Sequence, residues 1–260
     1  MSTTAVRTGT ASRSVVDALQ SRLDAERRAV TEEMDAFDAF LDRLGSVDPG
    51  RPAPAAGLDA FDRRSGGAGL DAVRSAYEDT VMSVTHYDEE YGDTYRQSVV
   101  EEFGPEIGVA LTEGPCLHPH LKRMVTEKAQ QCRAERERFL EILETEVESV
   151  EAVGGGVREI RSELPEFDPD PPSTQGFGAL EAEWRRLDRL EEEIDQFAAD
   201  RQRAIIRQRR SFALPTAAPD VPTYLYGEFD DEYPLLSVCV DLRERVRTRK
   251  SGRERKLAGG

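Results

Sequence analysis

The chain has 260 residues, of which 38% are apolar and 33% charged, and its formal net charge is −16. This balance is typical of long amphipathic helices, because each helix buries only one stripe of side chains. An aromatic content of 7% argues against a wholly disordered chain. No apolar run is long enough to span a bilayer, and residues 1–13 do not have the pattern of a signal peptide. We therefore expect a soluble, cytoplasmic protein.

The basic residues are nearly all arginine, since only four of the 35 are lysine. Acidic chains that use Arg in place of Lys are tolerated in a cytoplasm of high salt, where the self-repulsion of the negative charge is screened. The composition therefore indicates a halophilic archaeon; an acidic protein from a GC-rich bacterium is the alternative. The three cysteines are far apart and odd in number, so no disulfide framework is expected.

The first predicted helix begins with Ser14 as its N-cap and ends near Leu44. Glu26 and Glu33 interrupt its apolar stripe, and polar residues at such positions weaken an isolated coiled coil. We therefore expect this helix to pack in a bundle or a short coiled coil. Apolar residues recur along it every seven positions, at Val16, Leu23, Val30, Phe37 and Leu44.

Residues 45–69 are rich in Gly, Pro, Ala and Asp, which predicts a flexible linker. A shorter helix is expected from Leu70 to Val84. A third helix follows from Tyr91 to Phe103, and residues 106–111 predict one more short helical turn.

The longest helical pattern runs from Leu121 to Leu164, with apolar residues spaced three and four apart. At about 1.5 Å per residue such a helix is roughly 65 Å long, so its stripe needs several other helices or a second chain to cover it. Gly154–Gly156 interrupt the pattern at a cost of roughly 3 kcal/mol. They predict a kink, a break or a close crossing of another helix.

Residues 165–177 form a Pro-rich second linker. A long helix is then expected from about Gly178 to Phe212. The last predicted helix starts near Tyr233 and ends at about Arg249. We find no convincing strand.

The predicted architecture is therefore all-α, an elongated bundle of five or six helices with coiled-coil character. Residues 1–13 are expected to be disordered and residues 14–249 to form one helical domain with the two flexible linkers. Residues 250–260 are expected to be a basic, disordered tail.

Several short motifs follow one another in the sequence and carry a family resemblance. They are Tyr77–Met82, His86–Tyr91, Glu102–Glu106, Tyr224–Tyr226 and Tyr233–Leu236. With them the chain resembles a haloarchaeal family of mostly helical proteins, the domain of unknown function numbered seventy-two sixty, from about Ser14 to Arg249. The resemblance implies an all-helical fold and a halophilic host. It implies no activity, and so no site residue is transferred.

Cys116, His118 and His120 alternate along one short segment and are candidate ligands for zinc or copper. However, a structural zinc site normally has four ligands in pairs, and no second Cys/His pair is present. The favoured interpretation is an ordinary polar entry to the long helix, and we therefore predict no metal and no cofactor.

His86 is followed by three acidic residues, which is a pattern that acid–base catalysis can use. The simpler interpretation is that these acids complement a helix dipole, while Tyr87, Tyr91 and Tyr95 pack as an aromatic stripe. The sequence contains no phosphate-binding loop, dinucleotide fingerprint or nucleophile elbow. We accordingly predict no catalytic residue and no enzymatic activity.

Basic residues cluster near the end of the chain, and residues 241–260 contain eight basic and three acidic side chains. Such clusters can contact phosphates, although molar salt weakens a purely electrostatic grip. The candidate nucleic-acid contacts are Arg201, Arg203, Arg207, Arg209, Arg210, Arg243, Arg245, Arg247 and Arg249.

Three functions are left open by the sequence. The leading prediction is a structural or protein-interaction protein that buries its apolar stripes against a partner or a second copy of itself, with no membrane partner. The alternative is a nucleic-acid-associated regulator that uses helix 201–210 and the basic tail. The third is a metal-binding protein or metal-dependent enzyme around His86, His118 and His120.

Overall fold

A computed structural model describes residues 4–49, 63–168, 175–211 and 220–258 of the chain. These residues contain helices and no strand, so the predicted all-α class is confirmed. The helices are α1 (Thr4–Ser46), α2 (Arg63–Glu78), α3 (Tyr87–Glu90), α4 (Tyr95–Phe103), α5 (Pro105–Glu113), α6 (Pro119–Glu163), α7 (Phe177–Ser211), α8 (Val221–Tyr226) and α9 (Pro234–Ala258).

The described part contains more helices than the predicted five or six. The difference lies among four short helices, α3, α4, α5 and α8, which the apolar pattern indicates only weakly. The third predicted helix begins after Tyr91, not at it, because Gly92 adopts a positive φ of 58° and redirects the chain. Thr94 then caps α4, and its side chain and that of Gln97 form a reciprocal capping box. Helix α8 was not predicted, and the coiled-coil character stays a prediction.

Both ends of the helical region extend beyond the predicted limits. Helix α1 begins at Thr4, so Ser14 lies within it and the predicted N-cap is wrong. Helix α9 continues to Ala258, which makes most of the segment predicted as a disordered tail helical. Helices α2 and α7 begin at Arg63 and Phe177, inside the predicted linkers, and residues 50–62 and 169–174 of these linkers lie outside the described residues.

The chain divides into two compact units where the sequence predicted one domain. The central unit contains residues 25–143, and the terminal unit contains residues 1–24 together with residues 144–260. Helices α1 and α6 each contribute residues to both units. The apolar stripe of α1 is buried at every one of its five predicted positions, Val16, Leu23, Val30, Phe37 and Leu44.

The core of the central unit is aromatic at its middle. The ring of Phe40 meets that of Tyr77 edge-on at 5.4 Å and stacks on Phe103 at 6.0 Å. Around them lie Val125 and Ala129 of α6, both fully buried. This half of the α6 stripe is therefore covered by helices of the same chain.

The terminal unit packs α6 closely against its neighbours at the three glycines. Helix α6 continues without interruption to Glu163, so the predicted break at Gly154–Gly156 is wrong. The predicted close approach is confirmed, since a Cβ atom at Gly154 would lie 2.7 Å from Val16 Cγ1. A Cβ atom at Gly156 would lie 2.1 Å from Phe197 Cζ on α7. Glycine is needed at these positions because a neighbouring side chain occupies the space of a Cβ.

The helices of the described part are all too short or too polar to span a lipid bilayer. The apolar segment Leu236–Val240 also lies in a helix, α9.

Candidate functional site

A partly buried polar site of the central unit is built around Glu33 of α1. Glu33 lies one turn from Phe37, a residue of the apolar stripe, and therefore faces inward, with only 14% of its side chain exposed. Its Oε1 atom lies 3.0 Å from His86 Nε2 and accepts a hydrogen bond of 3.0 Å from the Tyr91 hydroxyl. One carboxylate thus connects α1 to both ends of α3.

Arg136 of α6 holds the other oxygen of this carboxylate. Its Nε atom donates to Glu33 Oε2 at 3.0 Å, and its two terminal nitrogens donate to Glu102 at 3.0 and 2.5 Å. Burial disfavours the guanidinium charge, but the two carboxylates outweigh burial and raise the pKa of Arg136. The guanidinium also lies 4.9 Å above the ring of Phe37. Arg136 therefore remains a fixed cation between two carboxylates.

The opposite side of the His86 ring faces a second carboxylate. His86 Nδ1 lies 3.7 Å from Glu32 Oε2. That oxygen accepts hydrogen bonds from the Thr85 hydroxyl at 2.6 Å and the Thr85 backbone N–H at 3.3 Å. These bonds from Thr85 lower the pKa of Glu32, which stabilises its anionic form. The imidazole is thus held between two carboxylates.

Glu33, His86 and Glu90 form a group with the composition of a metal site. One ligand atom from each residue lies within 4.8 Å of the others. Among the described residues, this is the one group of three His, Cys, Asp or Glu side chains with that spacing. Glu33 and His86 are partly buried and Glu90 is exposed. The arrangement can bind a cation through one imidazole nitrogen and two carboxylate oxygens.

A small cavity of about 40 Å³ adjoins this group. Glu33, Tyr91 and Tyr87 are among the residues that line it. Tyr87 is only 6% exposed, and its hydroxyl has no hydrogen-bond partner among the described protein atoms. Burial raises the pKa of this phenol, so the hydroxyl keeps its proton.

The structure separates the residues that the sequence grouped around His86. Of the three acids that follow it, Glu90 joins His86 in the ligand group and Asp88 and Glu89 do not. The predicted stripe of three tyrosines is also wrong. Tyr87 packs on Tyr91 with ring centroids 5.5 Å apart, but Tyr95 packs on Tyr77 at 5.8 Å.

Cys116, His118 and His120 lie on the segment that leads into α6. Cys116 is half-buried, whereas both histidines are exposed. The backbone N–H of His120 donates to Nδ1 of His118 at 3.2 Å. The ligand group found in the described residues contains none of the three. The hydrogen bond between His120 and His118 belongs to a local turn at the start of the helix.

Arg201, a predicted phosphate contact on α7, is buried instead. Two of its guanidinium nitrogens donate to the two oxygens of Glu146, and 3% of its side chain is exposed. It has no free surface for a phosphate, so this assignment is wrong. On the same helix Arg203 pairs with Asp200, and Arg209 donates to Asp220 at 2.8 Å. Arg207 and Arg210 are exposed.

The basic residues of α9 form ion pairs with α7 in the terminal unit. Arg243 donates to Asp195 at 3.0 Å, and Arg247 donates to Glu191 at 2.5 Å. Arg249 instead donates to backbone carbonyls, including that of Phe167 at 3.1 Å. Arg245 is half-buried. The contacts of Arg243, Arg247 and Arg249 hold α9 against the rest of its unit.

Sequence reasoning missed the carboxylates that organise both polar sites, although a signal was present. Glu33 interrupts the apolar stripe of α1, and Glu146 interrupts that of α6 between Leu143 and Val150. A charged residue at such a position is buried with the stripe and needs a partner. The partners Arg136 and Arg201 lie far away in sequence, so the pattern does not identify them.

The family model described as "Domain of unknown function (DUF7260)" matches residues 14–250 of the chain. No curated protein and no solved structure matches the chain.

Proposed function

The chain belongs to this family of a domain of unknown function, and we propose that its role is non-enzymatic, as a structural or protein-interaction protein. The observation that carries the proposal is the use made of its basic side chains. Along α7 and α9 they bind carboxylates of the same unit, as Arg201 binds Glu146 and Arg243 binds Asp195. Five of the nine candidate nucleic-acid contacts thereby have carboxylate partners in the same unit.

The ion pairs between α7 and α9 support the protein-interaction role over nucleic-acid binding. Lys250 donates to Asp188 and to Glu191, and Glu191 also accepts from Arg247. A phosphate would have to displace these carboxylates from Lys250 and Arg247, to which they are already hydrogen-bonded. Because several charges share these contacts, they form a network and not isolated surface pairs.

We propose a partner surface other than the apolar stripes on which the sequence analysis placed it. The apolar stripes of α1 and α6 are largely buried within the chain, so a second chain is not needed to cover them. Among the described side chains of the terminal unit, three large apolar ones are exposed: Phe177 at 67%, Val240 at 64% and Ile206 at 48%. An exposed aromatic residue such as Phe177 is the type that contributes most to protein interfaces.

Two measurements in molar KCl test this proposal. In the first, the tagged chain is cross-linked in its native host and purified with any bound partner. The partner is then tagged in turn, and its purification should recover the chain. Phe177→Ser should reduce the recovery of that partner several-fold while leaving the melting temperature unchanged. The control is Glu192→Ser, which removes an exposed polar side chain of the same helix. Equal recovery by all three proteins would contradict an interface at Phe177.

The second measurement is fluorescence anisotropy with labelled duplex DNA and single-stranded RNA. The proposal predicts no saturable binding. Saturable binding that weakens with salt and disappears in Arg207→Glu/Arg210→Glu would replace it with the nucleic-acid alternative. Sedimentation of the purified chain in the same buffer separates a self-associating protein from one that binds a different chain.

A further inference from the structure

We propose that Glu33, His86 and Glu90 bind one divalent transition-metal ion of the Zn²⁺ class. Their ligand atoms lie within 4.8 Å of one another, which is close enough for all three to reach one ion after small side-chain rotations. His86 and Glu90 are four residues apart at the two ends of α3, so their side chains lie on the same side of this helical turn. Glu33 supplies the third ligand from α1.

The spacing of the first two ligands is near that of a tetrahedral site. Two atoms that each lie about 2.0–2.1 Å from Zn²⁺ at a tetrahedral angle are roughly 3.3 Å apart. His86 Nε2 and Glu33 Oε1 lie 3.0 Å apart. The ion would lie between these two atoms and bind the imidazole in the tautomer that carries its proton on Nδ1.

The residues behind the ligands hold them in orientations that suit a metal ion. Arg136 occupies Oε2 of Glu33 and thereby turns Oε1 toward His86. Glu32 lies 3.7 Å from His86 Nδ1, on the side where a metal-bound imidazole keeps its N–H. Thr85 fixes Glu32 through two hydrogen bonds. A carboxylate behind a histidine is a common feature of metal sites in proteins.

A small cavity lies beside Glu33, one of the three ligands, and His86 and Glu90 do not line it. The cavity of about 40 Å³ borders Glu33, and a water molecule needs less space than this. The buried hydroxyl of Tyr87 also borders it and makes no hydrogen bond of ordinary geometry to a described protein atom. Glu90, which is exposed, leaves the other side open for entry of the ion.

The ligand types select the class of metal. One imidazole nitrogen with two carboxylate oxygens suits Zn²⁺, Co²⁺ or Mn²⁺. Ca²⁺ and Mg²⁺ prefer oxygen ligands alone, and Cu⁺ prefers thiolates or thioethers. The local charge also favours a dication, because four carboxylates surround the guanidinium of Arg136 and leave the site negative. These are the carboxylates of Glu32, Glu33, Glu90 and Glu102.

The experiment is a titration of the full chain, freed of its purification tag and stripped with a chelator, with Co²⁺ as a spectroscopic substitute for Zn²⁺. We expect a visible absorption band that saturates at one equivalent and is displaced by Zn²⁺. Glu90→Gln should weaken binding by at least roughly tenfold, since even supporting residues contribute 10- to 100-fold to affinity. Because Glu90 is exposed, this variant should remain folded by circular dichroism.

Two controls separate this site from others in the chain. Glu89→Gln changes a neighbouring exposed acid on the same helix and should leave the affinity unchanged. His118→Asn/His120→Asn should also have no effect. The proposal is overturned if no saturation occurs at one equivalent, if Glu90→Gln binds within twofold of the unaltered chain, or if a thiolate-to-cobalt charge-transfer band assigns the ion to a cysteine.

Discussion

Glu146 and Arg201 form a bidentate ion pair inside the terminal unit, with N–O distances of 2.6 and 2.8 Å. The exposed fractions of the two side chains are 0% and 3%. The hydroxyl of Tyr226 and the amide of Gln208 donate further hydrogen bonds to the Glu146 carboxylate, at 3.0 and 3.1 Å. One carboxylate therefore links α6, α7 and α8 without contact with solvent. Desolvation of both ions is compensated by these bonds.

Removal of one partner of this pair should strongly destabilise the terminal unit. Arg201→Met leaves the carboxylate of Glu146 buried without its cation, which typically costs about 3–5 kcal/mol. The measurement is urea unfolding followed by the fluorescence of Trp184, the one tryptophan of the chain and a residue of this unit. Arg203→Met, an exposed position on the same helix, is the matched control.

The double variant Glu146→Leu/Arg201→Met distinguishes a loss of charge compensation from a loss of packing. Because it removes both buried charges, it should be more stable than Arg201→Met alone. If Arg201→Met costs less than about 1 kcal/mol, the pair behaves as an exposed one.

The glycines of α6 allow a second matched comparison. A Cβ at Gly156 would lie 2.1 Å from Phe197 Cζ, whereas a Cβ at Gly155 would have no atom within 4 Å. Gly156→Ala should therefore destabilise the terminal unit by about 1–3 kcal/mol through overpacking. Gly155→Ala should stabilise it by up to about 1 kcal/mol, because alanine is the better helix former. Thermal unfolding monitored at Trp184 compares the two, and equal effects would contradict the close contact at Gly156.

The sequence predicted the long helices well because their stripes repeat over many turns. Helix α7 was predicted within one residue at each end, since its stripe from Leu180 to Ile205 is regular. Local signals were weaker where the chain turns. Helix α4 begins at Tyr95 because Thr94 caps it and Gly92 has a positive φ. Neither residue interrupts the periodic pattern of apolar residues, so the pattern does not mark this boundary.

The polar sites were predicted less well because their partners are distant in sequence. His86 was recognised as a candidate, but its closest contact, Glu33, is 53 residues away. The candidate ligands Cys116 and His120 were chosen for their spacing alone, and the structure leaves His120 exposed. Spacing indicates chemistry only when the fold brings the side chains together.

The cysteines should differ in their reaction with a thiol reagent. Burial raises the pKa of Cys132 to about 12 and that of Cys239 to about 11, which removes the reactive thiolate at neutral pH. Cys116 is half-buried. Mass spectrometry should therefore detect one labelled thiol in the native chain at pH 7.5 and three after denaturation. Cys116→Ser should abolish the native labelling, and rapid native labelling of that variant would contradict the burial of the other two.

The net charge of −16 should make stability depend on salt. Between 0.1 and 1 M salt the screening length falls from about 10 to about 3 Å, which suppresses repulsion between surface carboxylates. The melting temperature should therefore rise with KCl over this range, even though some exposed ion pairs are screened as well. A melting temperature that falls with KCl would contradict the halophilic interpretation.

Asp220 should make the terminal unit sensitive to acid. Burial alone would raise the pKa of this carboxyl, but hydrogen bonds from the backbone and hydroxyl of Thr223, from Arg209 and from Tyr233 outweigh it and lower the pKa. Its stabilising effect is therefore complete above the ordinary Asp value of about 3.9. The effect is lost as the pH falls through the lower, folded-state value.

Asp220→Asn tests this dependence, because asparagine keeps the shape of the cap without its charge. At pH 7 it should cost about 1–3 kcal/mol, the range for a charge-assisted hydrogen bond at a helix start. The difference from the unaltered chain should shrink as the pH falls below about 4, since the unfolded chain then takes up a proton at Asp220 that the folded chain takes up only at lower pH. Urea unfolding at a series of pH values, read at Trp184, measures it. Asp231→Asn, at an exposed position nearby, should leave the transition unchanged; a cost for Asp220→Asn that is constant down to pH 3 would show that the charge of Asp220 does not contribute.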